Sequence, residues 1–324
     1  MSPWILDSSL DSLRSTDYKR QVRKRIRIIS NPASGQGRAG RRAREVMLRL
    51  VERGCAVEVV ETQRPGDASR IAFEARSVDA LVAVGGDGTI NEVANGFSTA
   101  PHPPLGIIPS GTANVLAKEI GLPRHPARLA DVIASGREIL WDEGRIRPGD
   151  RRFLLFVSAG FDAQVVHEFH RQRDGRIRMS DYVAWGVRTY LGCRIPKIRV
   201  ELDGVPVAGE AAWVVVSNVR SYGGPIVFTP GARYDDGRFQ VMIQRRRHKA
   251  DTAHLFGASL LAWAFGTDVR PADVTLHDAR TVRLTSADGH PVPLQVDGDP
   301  GGFLPADVEI VPGGLRILGP DQRS

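Results

Sequence analysis

Residues 82–92, Val-Ala-Val-Gly-Gly-Asp-Gly-Thr-Ile-Asn-Glu, constrain the chain most, because they join an apolar strand to a glycine turn and then to a helix start. Glycines at 85, 86 and 88 let the main chain approach a polyphosphate, and the first amides of the following helix direct donors at its oxygens. Asp87 would repel a phosphate, so we expect it to hold a cation, a ribose hydroxyl or a bound water. A glycine turn after a strand is also often only a tight connection. Support for a phosphate site must therefore come from other segments.

Two more strand-to-helix turns, at residues 28–37 and 106–117, carry glycines and short polar side chains. The residues that offer donors or a bare main chain there are Asn31, Ser34, Gly35, Ser110, Gly111, Thr112 and Asn114. The alternative for the first turn is an ordinary loop in which Ser34 caps a helix. Because parallel strands end at one edge of their sheet, we expect all three turns to lie at the edge where open α/β sheets bind ligands.

The order of predicted elements divides the chain into two domains. Strands at 26–30, 57–61, 80–84 and 105–108 alternate with helices near 38–53, 67–76, 89–96, 112–120 and 126–135, which predicts a parallel α/β sheet. After Gly136, short β-rich runs at 153–158, 198–202, 213–217, 239–243 and 282–285 predict an antiparallel β-sandwich. Residues 1–24 form a basic segment before the first domain.

Composition fits a soluble two-domain protein of the cytoplasm. The 324 residues exceed the usual size of a single core, and 42% of them are hydrophobic. Two cysteines, Cys55 and Cys193, provide no disulfide framework and no metal spacing. We expect no signal peptide at the N-terminus, and the longest apolar run, 255–266, is too short to span a bilayer. That run is either a core helix or a lipid-facing surface.

Positive charge is concentrated near the N-terminus. The net charge is +7, and residues 1–50 contain 12 Lys or Arg against 4 Asp or Glu. Further basic runs occur at 171–178 and 245–249. An anionic membrane surface would attract such patches, although a solvated face without a partner is the alternative. We expect no nucleic-acid partner, because the runs lack interleaved aromatics and no helix-turn-helix, RNA-recognition or finger pattern is present.

Taken together, these residues resemble the diacylglycerol kinase catalytic family. Asn-Pro-x-Ser-Gly, Gly-Gly-Asp-Gly-Thr and Gly-Thr-x-Asn stand in order, and the likeness continues in residues 158–162, 229–237 and 295–299. It covers roughly residues 25–318, although the glycine loop alone also occurs in NAD kinases. The resemblance implies an NAD-kinase-like nucleotide-binding fold at 25–135, a β-sandwich lipid domain at 136–307, and a return of about 308–320, with a last strand near 315–318, to the first domain.

The resemblance also implies which residues serve phosphoryl transfer with ATP and Mg²⁺. Those implied to hold ATP are Asn31, Ser34, Gly35, Thr62, Gly85, Gly86, Asp87, Gly88, Thr89, Asn91, Glu92, Gly111, Thr112 and Asn114. Asp87 would help to organise Mg²⁺ and phosphate. Asp299 stands where the family has the glutamate that acts as general base on the lipid hydroxyl. It is one methylene shorter, and a hairpin turn is the alternative for residues 297–299.

A second cation site is implied at residues 232–238. Asp236 would supply a carboxylate, with main-chain carbonyls of Arg233 and Arg238, and oxygen ligands suit Mg²⁺. Such an ion would tie down the loop. A plain turn between strands is the alternative.

These implications predict a peripherally membrane-associated lipid kinase that phosphorylates diacylglycerol. Sphingoid bases, ceramide, monoacylglycerol or phosphatidylglycerol are alternative lipids. A kinase of NAD, and a nucleotide- and lipid-binding regulator without turnover, are alternative functions. The sequence leaves open whether the chain forms a homodimer.

Overall fold

The computed structural model describes residues 24–32, 34, 38–75, 77–97, 102–171, 192, 194–223, 226–245, 250–251 and 273–321. Gly35, Cys193, the apolar run 255–266 and most of the basic runs 171–178 and 245–249 lie outside these residues. The chain forms two compact units, the first comprising residues up to Leu140 and from Leu315 onward, the second Trp141–Gly314. The divisions thus fall at 140/141 and 314/315, against predicted boundaries at 135/136 and 307/308.

The first unit is built on a parallel sheet. Its strands are β1 (Arg25–Ser30), β2 (Ala56–Glu61), β3 (Ala80–Gly85) and β4 (Leu105–Pro109). They lie in the order β2-β1-β3-β4 and all pair in parallel. The end of the last strand, at Ile317, pairs in parallel with β4 at Leu105. The predicted parallel α/β domain is confirmed.

The described residues of the first unit form five helices. They are α1 (Arg38–Glu52), α2 (Asp67–Glu74), α3 (Asp87–Asn95), α4 (Val115–Glu119) and α5 (Pro126–Ser135). Helix α1 buries Ala39, Ala43, Val46 and Leu50, a spacing of three or four residues that forms one apolar stripe. This stripe belongs to a core cluster with Ile26 and Ile28 of β1, Val82 and Val84 of β3, and Leu129 of α5.

The predicted helix at 112–120 begins too early. Helix α4 starts only at Val115, because Asn114 adopts a left-handed conformation with φ 46°. Its side chain spans the turn, since Nδ2 donates to Gly111 O at 2.7 Å and Oδ1 accepts from Gly111 N at 2.9 Å. These bonds hold residues 111–114 as a turn.

The second unit consists mainly of antiparallel strands. Two strands include residues of both units, β5 (Arg137–Arg147) and β18 (Ala306–Gly319). The others are β6 (Arg151–Phe153), β7 (Phe156–Ala159), β8 (Ile198–Leu202), β9 (Val205–Pro206), β10 (Trp213–Ser217), β11 (Ser221–Gly223), β12 (Ile226–Val227), β13 (Phe239–Gln244), β14 (Val274–Ala279), β15 (Thr281–Ser286), β16 (Pro293–Val296) and β17 (Asp299–Phe303). Helix α6 spans Phe161–Arg171.

One antiparallel sheet has the order β14-β13-β10-β7-β16-β17, and a second layer pairs β18 with β15 and β8. Alternate residues of both layers, such as Val157, Val216, Val282 and Val308, share one core. The predicted sandwich is confirmed. The predicted strand 153–158 is instead two strands, because the amides of Leu154 and Leu155 donate to the Asp297 carboxylate.

In the part of the chain that the structure describes, no helix combines the length and apolar character needed to cross a membrane.

Candidate active site

The residues predicted to hold a nucleotide follow the carboxyl ends of neighbouring strands in the first unit. Thr62 follows β2 and donates its N–H to Ser30 O of β1 at 2.9 Å. Asn31 follows β1 and donates its N–H to Val84 O at 3.2 Å. Ser110 follows β4 and donates its N–H to Gly85 O at 2.9 Å. The predicted meeting of the three turns at one sheet edge therefore holds in the structure.

The glycine turns after β3 and β4 approach each other without side chains between them. A Cβ at Gly111 would lie 2.5 Å from Gly86 Cα, and a Cβ at Gly86 would lie 3.2 Å from Gly111 Cα. Only glycine permits this approach. By contrast, Gly88 is exposed, and a Cβ there would have no heavy atom within 4 Å. The surface beside Gly88 is bare main chain at a helix start.

Polar side chains join the turns across the edge. Asn31 Nδ2 donates to Thr89 Oγ1 at 3.3 Å, and the Ser110 hydroxyl donates to Ser34 Oγ at 3.3 Å. Glu92 accepts the N–H of Ala68 at 3.1 Å in the first turn of α2. Of the other predicted residues, Asn91 is buried and its Oδ1 accepts from Asn95 Nδ2 at 2.8 Å, whereas Thr112 is exposed.

Asp87 has partners that the sequence analysis did not consider. Its Oδ2 accepts the N–H of Val115 at 3.1 Å, and its Oδ1 accepts the N–H of Leu116 at 3.2 Å. The carboxylate thus caps α4, in addition to any cation, hydroxyl or water that it holds. Burial raises the pKa of Asp87, although the two amides oppose that rise. Proximity to α4 fixes the carboxylate beside Gly86 and Gly111.

Residues 297–299 of the second unit form the hairpin turn between β16 and β17. Asp297 and Gly298 both have positive φ, 51° and 87°, as a two-residue hairpin of type I′ requires. The Asp297 carboxylate accepts three main-chain N–H groups, those of Leu154, Leu155 and Phe156, at 2.8–2.9 Å. Residues 297–298 therefore form a hairpin turn that is anchored at its first residue, and this turn is compatible with either role for Asp299.

Asp299 is the first residue of β17, and its side chain is about half exposed, at 52%. Arg151 Nη2 lies 3.7 Å from one carboxylate oxygen and His170 Nε2 lies 3.5 Å from the other. Arg151 also donates to Pro300 O at 3.0 Å, so it holds the main chain beside the carboxylate. These two cationic or potentially cationic groups accompany the candidate base, and the sequence analysis assigned neither a role.

A buried polar layer lies behind this hairpin. Ser158 and Tyr222 donate their hydroxyls to Asp162 Oδ2, and Gln295 Nε2 donates to the same oxygen at 3.3 Å. Burial raises the pKa of Asp162. The family resemblance includes residues 158–162 and 295–299. Their contact was not predicted, because Asp162 and Gln295 are 133 positions apart in the sequence.

The predicted second cation site is an exposed turn between β12 and β13. Asp236 Oδ1 accepts the N–H of Arg238 at 3.1 Å, and the Arg233 guanidinium pairs with Asp235. The loop is fastened by Asp142, whose carboxylate accepts the N–H groups of Gly237 and Gly313, both at 2.7 Å. Asp142, a buried carboxylate that the sequence analysis missed, thus tethers this loop through two main-chain N–H groups.

Comparison with known proteins places both units in one family. Residues 25–146 match the diacylglycerol kinase catalytic domain, and residues 155–319 match the YegS C-terminal NAD kinase beta sandwich-like domain. A diacylglycerol kinase of Staphylococcus carnosus is 30% identical over 289 residues, covering 88% of this chain and 92% of that protein. The chain belongs to the diacylglycerol kinase family.

Other members of the diacylglycerol kinase family agree in sequence and fold. The diacylglycerol kinase of Staphylococcus aureus strain MRSA252 is 30% identical over 88% of this chain and 89% of its own length. The crystal structure of a diacylglycerol kinase from Bacillus anthracis str. Sterne superimposes with a TM-score of 0.70. That protein is 20% identical in sequence, and the match covers 92% of this chain and 97% of that chain. The family assignment makes this chain a lipid kinase by class.

The two matched segments divide the candidate residues of this lipid kinase between them. The three turns lie in the catalytic-domain match, whereas Asp162, Asp236 and Asp299 lie in the sandwich match.

Proposed function

We propose that this family member transfers the γ-phosphoryl group of ATP to the hydroxyl of diacylglycerol, giving phosphatidic acid and ADP. The observation that carries the proposal is the edge of the parallel sheet, where Gly86 and Gly111 bring two strand-to-helix turns together with no side chain between them. Bare main chain at the start of α3 offers N–H donors to phosphate oxygens.

ATP would lie along this edge of the first unit. The exposed Gly88 leaves room for the phosphates, and the polar residues that follow β1, β2 and β4 offer donors and acceptors to the rest of the nucleotide. The candidate contacts are the predicted ones: Asn31, Ser34, Gly35, Thr62, Gly85, Gly86, Asp87, Gly88, Thr89, Asn91, Glu92, Gly111, Thr112 and Asn114.

Mg²⁺, when bound, would neutralise charge on the β- and γ-phosphates. Among the described residues, no group of three or more histidine, cysteine or carboxylate side chains is placed to hold a metal. A single carboxylate fits Mg²⁺, because this ion usually keeps several waters and phosphate oxygens as ligands. Asp87 is the candidate carboxylate beside the phosphates.

Asp236 is the candidate for the second ion. Its pKa is raised by burial and by the charge of Asp142, so a cation near this loop would relieve repulsion between two carboxylates. Main-chain carbonyls of Arg233 and Arg238 would complete its protein ligands.

Asp299 would accept the proton of the lipid hydroxyl as that oxygen attacks the γ-phosphorus and ADP departs. Its half-exposed carboxylate is accessible to a substrate, and Arg151 and His170 restrict its orientation. Replacing Asp299 with Glu tests the alternative of a regulator that has lost turnover. A site built around aspartate predicts little change or a loss of turnover, whereas a large gain would support the regulator.

The test is transfer of labelled γ-phosphate from ATP with Mg²⁺ to separate lipids in mixed micelles. The panel contains diacylglycerol, monoacylglycerol, ceramide, a sphingoid base and phosphatidylglycerol, with NAD⁺ in a parallel reaction. Labelled phosphatidic acid as the main product is the expected result. Another labelled lipid would identify that lipid as the substrate instead of diacylglycerol. Labelled NADP⁺ would show a kinase of NAD, and ATP binding without any product would favour the regulator without turnover.

A further inference from the structure

Four side chains form a polar layer between helix α6 and the sandwich sheet. On strands β7 and β16, Val157, Ala159, Leu294 and Val296 point into the apolar core. Ser158 and Gln295 alternate with them and are register partners across the two strands, so both face the other side of the sheet. Asp162 of α6 meets them there, at 6% exposure, and Tyr222 closes the layer from β11.

Gln295 joins this layer to the turn that carries Asp299. Its Oε1 accepts the N–H of Gly298 at 2.7 Å, while its Nε2 donates to Asp162 Oδ2 and to Tyr222 Oη, both at 3.3 Å. The two ends of the carboxamide are not interchangeable, because a flipped amide would set NH₂ against the N–H of Gly298. The donors and acceptors around Gln295 therefore fix both its orientation and the residue directly before Asp299.

We propose that Gln295 is a positioning residue for the proposed kinase reaction, holding the hairpin turn so that the carboxylate of Asp299 takes one orientation. The inference rests on the proposed function. Asp162 and Tyr222 support Gln295 from behind by accepting hydrogen bonds from its Nε2. Displacement of a reacting carboxylate by about 1 Å costs up to about a hundredfold in rate.

The physical state of Asp162 is compatible with this role. Three donors converge on one of its oxygens and favour the charged carboxylate, whereas burial raises its pKa. Asp162 Oδ1 is buried without a hydrogen-bond partner among the described residues, so the order of the layer depends on the three bonds to Oδ2. Gln295 is the member that transmits this order to the turn.

The first test replaces Gln295 with Met, which keeps the volume and removes the amide. Gln244 of β13 is the matched control, since it is also fully buried in the same sheet but bonds to Asp273. We expect Gln295→Met to lower kcat by about tenfold or more with the KM for ATP unchanged, whereas Gln244→Met keeps the wild-type kcat. Equal kcat in both variants would overturn the inference.

Tyr222→Phe provides a second variant in case Gln295→Met does not fold. It removes one hydroxyl and keeps the ring that stacks on Phe156 at 4.5 Å. We expect a smaller loss of kcat with an unchanged KM for ATP. If Tyr222→Phe has wild-type kcat, the support from behind Gln295 is refuted.

Gln295→Glu separates positioning from packing through its pH profile. In this variant a protonated carboxyl group can accept from Gly298 and donate to Asp162, whereas an ionised one has no donor and repels Asp162. Within the described residues, the titratable or charged groups around this position are Asp162, His167, His170, Tyr222, Asp297, Asp299 and Arg151. We expect the ratio of variant to wild-type kcat to fall as pH rises from about 5 to 8, and a ratio independent of pH would contradict the role.

The wild-type reaction distinguishes the two proposals. If the wild-type protein phosphorylates no lipid, both the proposed function and the role of Gln295 are contradicted. If the wild-type protein is active and Gln295→Met is equally active, only the positioning role of Gln295 is contradicted.

Discussion

Asp87 Oδ2 lies 3.1 Å from the main-chain nitrogen of Val115, so the carboxylate of one glycine turn caps the helix that follows another. The second oxygen accepts from Leu116 in the same way. Asp87, the candidate phosphotransfer residue, therefore also stabilises the start of α4. This double use affects how any variant at the position is interpreted.

We predict that Asp87→Ala lowers the free energy of unfolding by about 1 kcal/mol, because the first amides of α4 lose their acceptors. Asp87→Asn keeps one side-chain oxygen and should lose less. Urea unfolding at neutral pH measures both. The control is Asp131→Ala, which removes an exposed ion pair with Arg53. Its free energy of unfolding should stay within about 0.5 kcal/mol of the wild-type value. A fully stable Asp87→Ala would contradict the capping role.

Gly111 and Gly88 are predicted to respond oppositely to alanine. Gly111→Ala forces a Cβ against Gly86 Cα and should cost about 1–3 kcal/mol of stability. Gly88→Ala meets no neighbour and lies in a helix, so stability should hold or rise by up to about 1 kcal/mol. Its ATP affinity, measured by calorimetry, should nevertheless fall at least about tenfold, since the methyl group would occupy the space of a phosphate. Wild-type ATP affinity in Gly88→Ala would show that the phosphates lie elsewhere.

The stability of Asp162→Asn relative to wild type is predicted to increase with pH. Burial raises the folded-state pKa of Asp162 above the unfolded value of about 3.9. The folded protein then binds more protons than the unfolded chain, so the stability of wild type falls as pH rises through this interval. Asn carries no such charge. Denaturant unfolding at several pH values from 4 to 8 should give a growing difference, and a constant one would argue against the raised pKa.

Membrane binding is predicted to depend on helix α1 more than on the N-terminal segment. Residues 1–23 carry four basic and three acidic side chains, whereas residues 24–50 carry eight basic and one acidic. Lys24 donates to Ile133 O at the end of α5 at 2.9 Å, so a deletion should stop at residue 23. Arg41 and Arg44 of α1 are exposed.

We therefore propose that Arg41→Glu with Arg44→Glu weakens binding to anionic vesicles at low salt by at least about tenfold, because each basic residue near the surface contributes about 1 kcal/mol. Deleting residues 1–23 should change binding by less than about threefold. Arg280→Glu with Arg283→Glu in the second unit is the charge-matched control, and ATP affinity reports intact folding. Equal losses for the two double variants would mean that net charge alone attracts the protein.

The sheet edge was predictable because its signals are local. Glycines and short polar residues directly follow apolar strands, and parallel pairing brings strand ends together, so Asn31, Gly86 and Ser110 were placed correctly in relation to one another. The class of the second unit was predictable from alternation and turn dipeptides. Each inference used residues within about ten positions of one another.

The partners of Asp87 and Asp297 were not predictable, because they are distant in the sequence. Asp87 bonds to amides 28 and 29 positions away, and Asp297 bonds to amides more than 140 positions away. Main-chain N–H groups are identical at every position, so no residue type marks them as partners. The early start predicted for α4 has a different origin, because the left-handed Asn114 bonds to Gly111, three positions away, in a turn that helix propensity does not indicate.

The proposed reaction is phosphoryl transfer to diacylglycerol with Asp299 as the base. The most direct test compares the rate of labelled phosphatidic acid formation from γ-labelled ATP, Mg²⁺ and diacylglycerol micelles in wild type and Asp299→Asn. We predict clear turnover in wild type and a loss of at least about a hundredfold in the variant, with ATP affinity unchanged. Equal turnover in the two proteins would contradict the role of Asp299, and no phosphatidic acid from wild type would contradict the proposed function.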